Sequence, residues 1–323
     1  MPTDLRALVS ELNRGTWALG ALSVAAERGV LSALAERPCS LDEIATIARM
    51  APATARALAD VLAALGLAVV EADLVRDAGM LASMRDLGAS KVLAADLRST
   101  FGTVRDSTYA AATSVPVEGW RAVDPVAVRA QATVSQAITL GLRAMLENTP
   151  MHAWLAKDDA RFLDVGAGAA GLAIAYARMY PKLRVVGLEP SEVACAEAAH
   201  AIDEAGVADR VEIRHQLGQD LADEGVYAAA YVAQMFIPDA AIDGVLRATC
   251  RALVPGGWLT TGAIAVDGVD LSAAMSRYRN AVWGGGVREA PQVIAALEAA
   301  GFVNVMAMGS PGGMVPLIAR RPA

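Results

Sequence analysis

Phe162-Leu163-Asp164-Val165-Gly166-Ala167-Gly168-Ala169-Ala170-Gly171 is the stretch on which the reading of this 323-residue chain turns. An apolar run ends in closely spaced glycines and passes into an alanine-rich, helix-like segment. Glycine lets a backbone turn sharply after a strand and approach a ligand, and the following helix N-terminus presents free N–H groups. About 20 residues further on, Val185-Val186-Gly187-Leu188 reads as a second strand ending in Glu189. An acid at that point accepts hydrogen bonds from two ribose hydroxyls and repels a 2′-phosphate. Gly166-x-Gly168-x-x-Gly171 also satisfies the dinucleotide pattern, so alone it does not separate nicotinamide from other adenosine cofactors.

Outward from this motif, strands alternate with helices from Arg161 to the end, the signature of a parallel sheet. The expected strands are Phe162–Val165, Val185–Leu188, Val211–Ile213, Ala228–Val232, Trp258–Ile264, Phe302–Ala307 and Pro316–Ala319. The last two are close enough to pair as a hairpin, which makes the final strand antiparallel. The expected class is α/β: a doubly wound, mostly parallel seven-stranded sheet of Rossmann type, plus an all-helical, winged-helix-like N-terminal domain. The division is 1–80 for that domain, 81–158 for a helical linker and covering region, and 159–323 for the sheet domain.

In residues 1–80, Leu19, Leu22, Ala26, Val30, Leu31 and Leu34 recur at helical spacing. Ser40 and Glu43 sit at capping-box positions, and a helix from about Pro52 to Leu65 stops at Gly66. Val69-Val70 and Leu74-Val75 would form a small hairpin. Helix, turn, helix, hairpin is a winged-helix pattern, and its charge decides what it binds. Seven basic groups (Arg6, Arg14, Arg28, Arg37, Arg49, Arg56, Arg76) face ten acids (Asp4, Glu11, Glu27, Glu36, Asp42, Glu43, Asp60, Glu71, Asp73, Asp77). Phosphate contacts dominate affinity for DNA, so this module is expected to pack or dimerise rather than read DNA. The whole chain agrees, with 28 basic against 35 acidic residues and a net charge of −7.

No apolar run approaches the roughly 18 residues of a membrane span, and the first residues lack a signal-peptide pattern. Cys39, Cys195 and Cys250 are far apart, with no CxxC and no histidine at ligand spacing. The expectation is a cytoplasmic protein with reduced thiols, no disulfide frame and no metal site. Secreted, membrane-spanning and zinc-finger classes are set aside.

Three further features separate the cofactor classes. Asp164, two residues before the first glycine, can order the loop and face a cationic amino-acid head group. Leu253-Val254-Pro255-Gly256-Gly257-Trp258-Leu259 supplies a tight turn feeding a strand, and Ala299-Ala300-Gly301-Phe302 leads into the last strand pair. Together these resemble the class I S-adenosylmethionine-dependent methyltransferases. The N-terminal module resembles the winged-helix dimerisation domain of their small-molecule O-methyltransferase branch. The resemblance spans nearly the whole chain and is weakest over about 85–150. It implies S-adenosylmethionine as cofactor, a small-molecule substrate, a homodimer and a place in secondary metabolism.

Carried over residue by residue, Asp164, Gly166 and Gly168 match positions that cradle the methionine part, and Glu189 matches the ribose-binding acid. The family's Gly-Asp pair after the third strand falls on Gln216-Leu217, followed by Gly218-Gln219-Asp220. Either Gln216 or Asp220 would replace the missing acid, with Leu217 packing on the adenine ring. Gly218 and Gln234 complete the expected cofactor set. A second departure concerns the base. The branch commonly carries a histidine after the fourth strand, whereas Tyr231-Val232-Ala233-Gln234-Met235-Phe236-Ile237-Pro238-Asp239 contains none.

General-base help contributes ~10²–10⁴-fold, so a catalyst lacking it needs another base or an already nucleophilic acceptor. Of His152, His200 and His215, His152 is the expected replacement, on a helix that lines the substrate cavity in this family. Expected substrate contacts are Met145, Tyr109, Trp120, Tyr278, Arg279 and Trp283. Of these, Tyr278 and Trp283 would offer a flat apolar surface and Arg279 would hold an acid. O-methylation is favoured, with N- or C-methylation open. Two other readings stand beside it: a non-transfer reaction (cyclisation, decarboxylation or rearrangement) on the same cofactor, and a ligand-responsive winged-helix regulator.

Overall fold

The computed structural model describes residues 4–113, 124–264, 270–308 and 314–323. They form two compact units, Met1–Phe101 and Gly102–Ala323. The first contains α1 (Leu5–Glu27), α2 (Val30–Glu36), β1 (Cys39–Ser40), α3 (Leu41–Ala48), α4 (Pro52–Ala64), β2 (Ala68–Glu71), β3 (Leu74–Asp77) and the start of α5 (Leu87–Ala111). Helix α3 begins on the capping box expected from sequence: Ser40 Oγ accepts from the Glu43 N–H, and the Glu43 carboxylate accepts from the Ser40 N–H. Leu31, Leu34, Ile44, Leu58, Leu62 and Val75 meet in this unit's core.

The expectation of an all-helical N-terminal domain is corrected. Among the described residues a three-stranded antiparallel sheet in the order β1-β3-β2 stands beside the helices. Val69, Val70 and Val75 are β-branched and fit a pleated surface, and Ala72 at φ +54° turns the chain between β2 and β3.

The second unit continues with α6 (Pro125–Gly141), α7 (Arg143–Glu147), α8 (Pro150–Leu155), β4 (Arg161–Val165), α9 (Gly171–Met179), β5 (Arg184–Glu189), α10 (Glu192–Ala205), β6 (Val211–His215), β7 (Tyr227–Val232), α11 (Asp239–Ala252), β8 (Leu253–Ile264), α12 (Leu271–Trp283), α13 (Ala290–Ala299), β9 (Val303–Ala307) and β10 (Met314–Arg320). Among the described residues, seven strands form one sheet in the order β6-β5-β4-β7-β8-β10-β9. β10 runs antiparallel to both β8 and β9, so it enters between them and leaves β9 at the edge.

Two apolar layers sandwich the sheet. Met151, Leu155, Phe162, Ile174, Tyr176 and Ile202 fill one, and Val165, Tyr227, Val245, Leu246, Leu253 and Leu297 the other. The strand order reverses between β4 and β7, and in open α/β sheets ligands bind beyond the carboxyl ends of the strands at such a switch point. Among the described residues no single helix is long and apolar enough to cross a membrane.

Candidate active site

β4 ends at Val165, and the loop after it is held by backbone hydrogen bonds. The N–H groups of Gly166 and Ala167 donate to the Leu188 carbonyl at 2.9 and 3.1 Å. Gly166 (φ +82°) and Gly168 (φ +55°) occupy left-handed conformations that a side chain resists, so the turn into α9 depends on glycine at both. Gly171 answers a different need. A Cβ there would collide with the backbone of Ala132, because α6 crosses directly over the start of α9. The third glycine of the motif therefore serves helix packing.

Two carboxyl groups lie at this loop. Glu189, at the end of β5, accepts from the Gly168 N–H and from the Ser191 N–H, each at 2.9 Å, and ties the glycine loop to the start of α10. It is 4% exposed, and burial pushes its carboxyl above the usual range. Asp164 is 1% exposed; the Ala173 N–H faces its carboxylate, while Oδ2 has no hydrogen-bond partner. Burial, and then the charge of Glu189, raise Asp164 to about 7. Tyr176, buried nearby, and the partly buried Tyr231 are pushed up as well. An unpaired buried carboxylate oxygen is costly, and a cationic partner reverses that cost.

The segment after β6 closes one side. The Gln216 N–H donates to the Glu189 carbonyl at 3.2 Å. Leu217 is exposed, and Gly218 opens a short 3-10 turn that packs against Val165, with Asp220 exposed at its end. Gln234 lies 2% exposed at the end of β7, its side chain already engaged. Nε2 donates to the Gly262 carbonyl at 2.6 Å, and Oε1 accepts from Arg288 at 2.9 Å.

His152 is displaced from the role expected of it. Its Nδ1 lies 3.1 Å from the Tyr180 hydroxyl, at the C-terminal end of α9. The glycine loop is at the opposite end of that helix, roughly 13 Å away at 1.5 Å per residue. His152 therefore sits by the amino ends of the parallel strands, and its proximity in sequence to the motif reflects only that α8 leads into β4. His215 lies with Nε2 2.9 Å from the Pro190 carbonyl, and His200 faces solvent beside Glu204.

Beyond β7, Trp283 packs on Phe236 (ring centroids 4.8 Å), and the Arg279 guanidinium lies 4.9 Å from the Trp283 ring centre. This brings the end of α12 to the segment after β7. Met275, Tyr278 and Arg279 are exposed on α12, and Tyr109 is exposed near the end of α5. Trp120 lies outside the described residues, as does the side chain of Met145. Sequence reasoning missed Arg288 and Asn280. Arg288 reaches the segment after β7 from beyond α12, and Asn280 is 2% exposed with an unpartnered Nδ2. Only the contrast of a lone arginine after Gly284-Gly285-Gly286 hinted at the former.

Residues 162–257, which run from β4 through the turn into β8, match the family model described as a methyltransferase domain. Among curated protein sequences none matches the chain. Among solved structures, mitomycin 7-O-methyltransferase is 22% identical, with 98% of this chain and 97% of that one covered and a TM-score of 0.70. An O-methyltransferase family protein from Burkholderia thailandensis is 16% identical, with 100% and 99% covered and a TM-score of 0.73. Human N-acetylserotonin methyltransferase, solved in complex with SAM, is 17% identical, with 100% of both chains covered and a TM-score of 0.70. At these identities the likeness establishes the fold. Residues 162–257 are therefore a methyltransferase domain, built on the class I methyltransferase fold.

Proposed function

We propose that the chain is an S-adenosylmethionine-dependent methyltransferase that acts on a small molecule, with oxygen as the favoured acceptor. One observation carries the reading: the buried, unpartnered Oδ2 of Asp164 beside a glycine loop that Glu189 ties down. This donor set fits the cofactor. Asp164 would receive its ammonium group, Glu189 its ribose hydroxyls, and the Gln216–Gly218 segment its adenine. When bound, S-adenosylmethionine supplies an electrophilic methyl group, which the acceptor's lone pair takes as the sulfonium leaves as a thioether.

The protein's own part is positioning. Holding two reactants in line replaces a bimolecular encounter with a nearly unimolecular one, and this supplies much of the acceleration open to a site without the usual histidine base. None of the three histidines is placed to take a proton on the acceptor side. The acceptor is accordingly one that is nucleophilic unaided: a carboxylate, an amine, an acidic phenol or an enolised carbon.

Homodimerisation through the N-terminal unit belongs to the same proposal, supported by the exposed Leu5, Leu8, Val9, Leu12 and Trp17 of α1. The proposed setting is cytoplasmic secondary metabolism. Calorimetry with S-adenosylmethionine, S-adenosylhomocysteine and NAD is the first test. Binding of the two sulfur compounds and not NAD is expected, and absence of both would overturn the reading. Methyl-labelled cofactor incubated with host extracts would then identify the acceptor; label appearing in no acceptor would favour a cyclisation, decarboxylation or rearrangement instead.

A further inference from the structure

A buried arginine needs a reason, because its charge resists leaving water and its five donors must all find partners. Arg288 is almost wholly buried, with 11% of its side chain exposed, and burial lowers its pKa. Among the described residues its side chain bonds to the segment after β7. Nε donates to Gln234 Oε1 at 2.9 Å, Nη2 to the carbonyls of Gln234 (2.5 Å) and Ile237 (2.7 Å), and Nη1 to the Asp239 carboxylate at 2.5 Å. One rigid fork thus fixes both ends of a six-residue segment, Gln234 through Asp239.

That segment is anchored on its other side to the cofactor strands. The Ala233 N–H donates to the Val165 carbonyl at 2.9 Å, immediately before the glycine loop, and Gln234 Nε2 holds the Gly262 carbonyl of β8. Arg288 itself follows α12. Phe236 packs on Trp283, and Gly285 lies so close to the Met235 backbone that a Cβ would collide with it. The Arg288 carbonyl accepts from the Ile264 N–H, the last residue of β8.

We propose that Arg288 is a positioning residue for methyl transfer. It fastens α12 and the segment after β7 into one body seated on the carboxyl ends of β4, β7 and β8, so that a ligand ordering the glycine loop also orders the acceptor side. This rests on the cofactor reading above. Lysine cannot substitute, since a point charge with three rotating donors does not reproduce a planar fork that engages a side-chain amide, two carbonyls and a carboxylate together.

The test is hydrogen–deuterium exchange on the full chain, with and without saturating S-adenosylhomocysteine, following peptides over 162–171, 233–239 and 271–289. Without ligand, Arg288→Lys is expected to speed exchange at least tenfold in 233–239 and 271–289 and to leave 162–171 unchanged. With ligand, wild type is expected to gain protection in all three peptides. Arg288→Lys should keep it at 162–171 and lose it at 271–289, a split that a merely structural arginine would not produce. Unchanged exchange in the unliganded variant, or full ligand protection at 271–289, overturns the proposal. If Arg288→Lys fails to fold, Asp239→Ala removes one of the four bonds from the surface side, and a smaller change in the same two peptides is expected; no change there also overturns it. Absence of ligand protection at 162–171 in wild type would count against the cofactor reading alone, since the unliganded comparison still judges the fastening.

Discussion

Asp164 is asked to be buried and to be charged, and the protein without ligand cannot satisfy both. Its carboxyl is raised to about 7 by burial and by Glu189, whereas in an unfolded chain an aspartate titrates near ~3.9. Between those values the unfolded chain has released a proton that the folded chain keeps. Folding stability therefore falls as pH rises through that window and levels off above it. Glu189, also raised by burial, adds a slope of the same sign. A bound ammonium group reverses the preference, so affinity for S-adenosylhomocysteine should weaken as pH drops below 7. Asp164→Asn is expected to flatten the stability slope in denaturant titrations at pH 5, 6, 7 and 8, and to raise the dissociation constant about ten- to a hundredfold, the worth of a charge-assisted hydrogen bond. Unaltered affinity would show that the carboxylate is not the cation's partner, and an unaltered slope that it does not titrate in this window. At the same scale, His152→Ala should leave methyl transfer intact in a labelled-cofactor assay, because the imidazole lies by Tyr180 at the far end of α9. The placement of Asp164 and Glu189 at strand ends was legible in the sequence because local spacing fixes it. His152 was misread because a short sequence distance from the motif does not reveal which end of the sheet a preceding helix approaches.

Elements show the same division between what is local and what is not. The capping box of α3 and all seven strands of the large sheet follow from neighbouring residues, and the structure reproduces them within a few residues. The third strand of the small sheet and the insertion of β10 between β8 and β9 depend on pairings between distant segments, which local patterning does not encode. Gly171 illustrates the point within the motif itself. Its spacing reads as ligand binding, but its neighbour is the Ala132 backbone of α6, some forty residues earlier in the chain. Gly171→Ala is accordingly expected to cost about 3 kcal/mol by overpacking, seen as a lowered denaturation midpoint. On α12, Asn280 keeps an unpartnered Nδ2 in the interior. Asn280→Leu removes that donor while keeping the same side-chain branching and should stabilise the chain by about 1 kcal/mol in the same measurement. A loss of stability there would mean that the amide is paired in solution.

At the scale of the molecule, charge and exposed apolar surface point to different partners. The net charge of −7 disfavours a polyanion, and residues 1–80 are themselves acidic, so the helices and hairpin of the first unit have little to offer DNA. Helix α1 offers apolar surface instead. Leu5, Leu8, Val9 and Leu12 recur at the three- and four-residue spacing of one helical face, and all are exposed; Trp17 is 77% exposed. Single exposed hydrophobics are ordinary, but a row of them along one helix marks an interaction surface. In the proposed homodimer a second copy of the same helix would supply the matching row, since a twofold interface is self-complementary and needs no other partner. Placing glutamate at Leu8 and Leu12 would put four charges into such an interface, two from each copy, while each chain alone would merely exchange exposed leucine for exposed glutamate. Leu8→Glu with Leu12→Glu is therefore expected to raise the dimer dissociation constant at least a hundredfold in sedimentation equilibrium, with little change in the unfolding midpoint of the monomer. Wild-type protein that sediments as a monomer at micromolar concentration would remove the homodimer from the proposal and leave α1 to a partner of another kind.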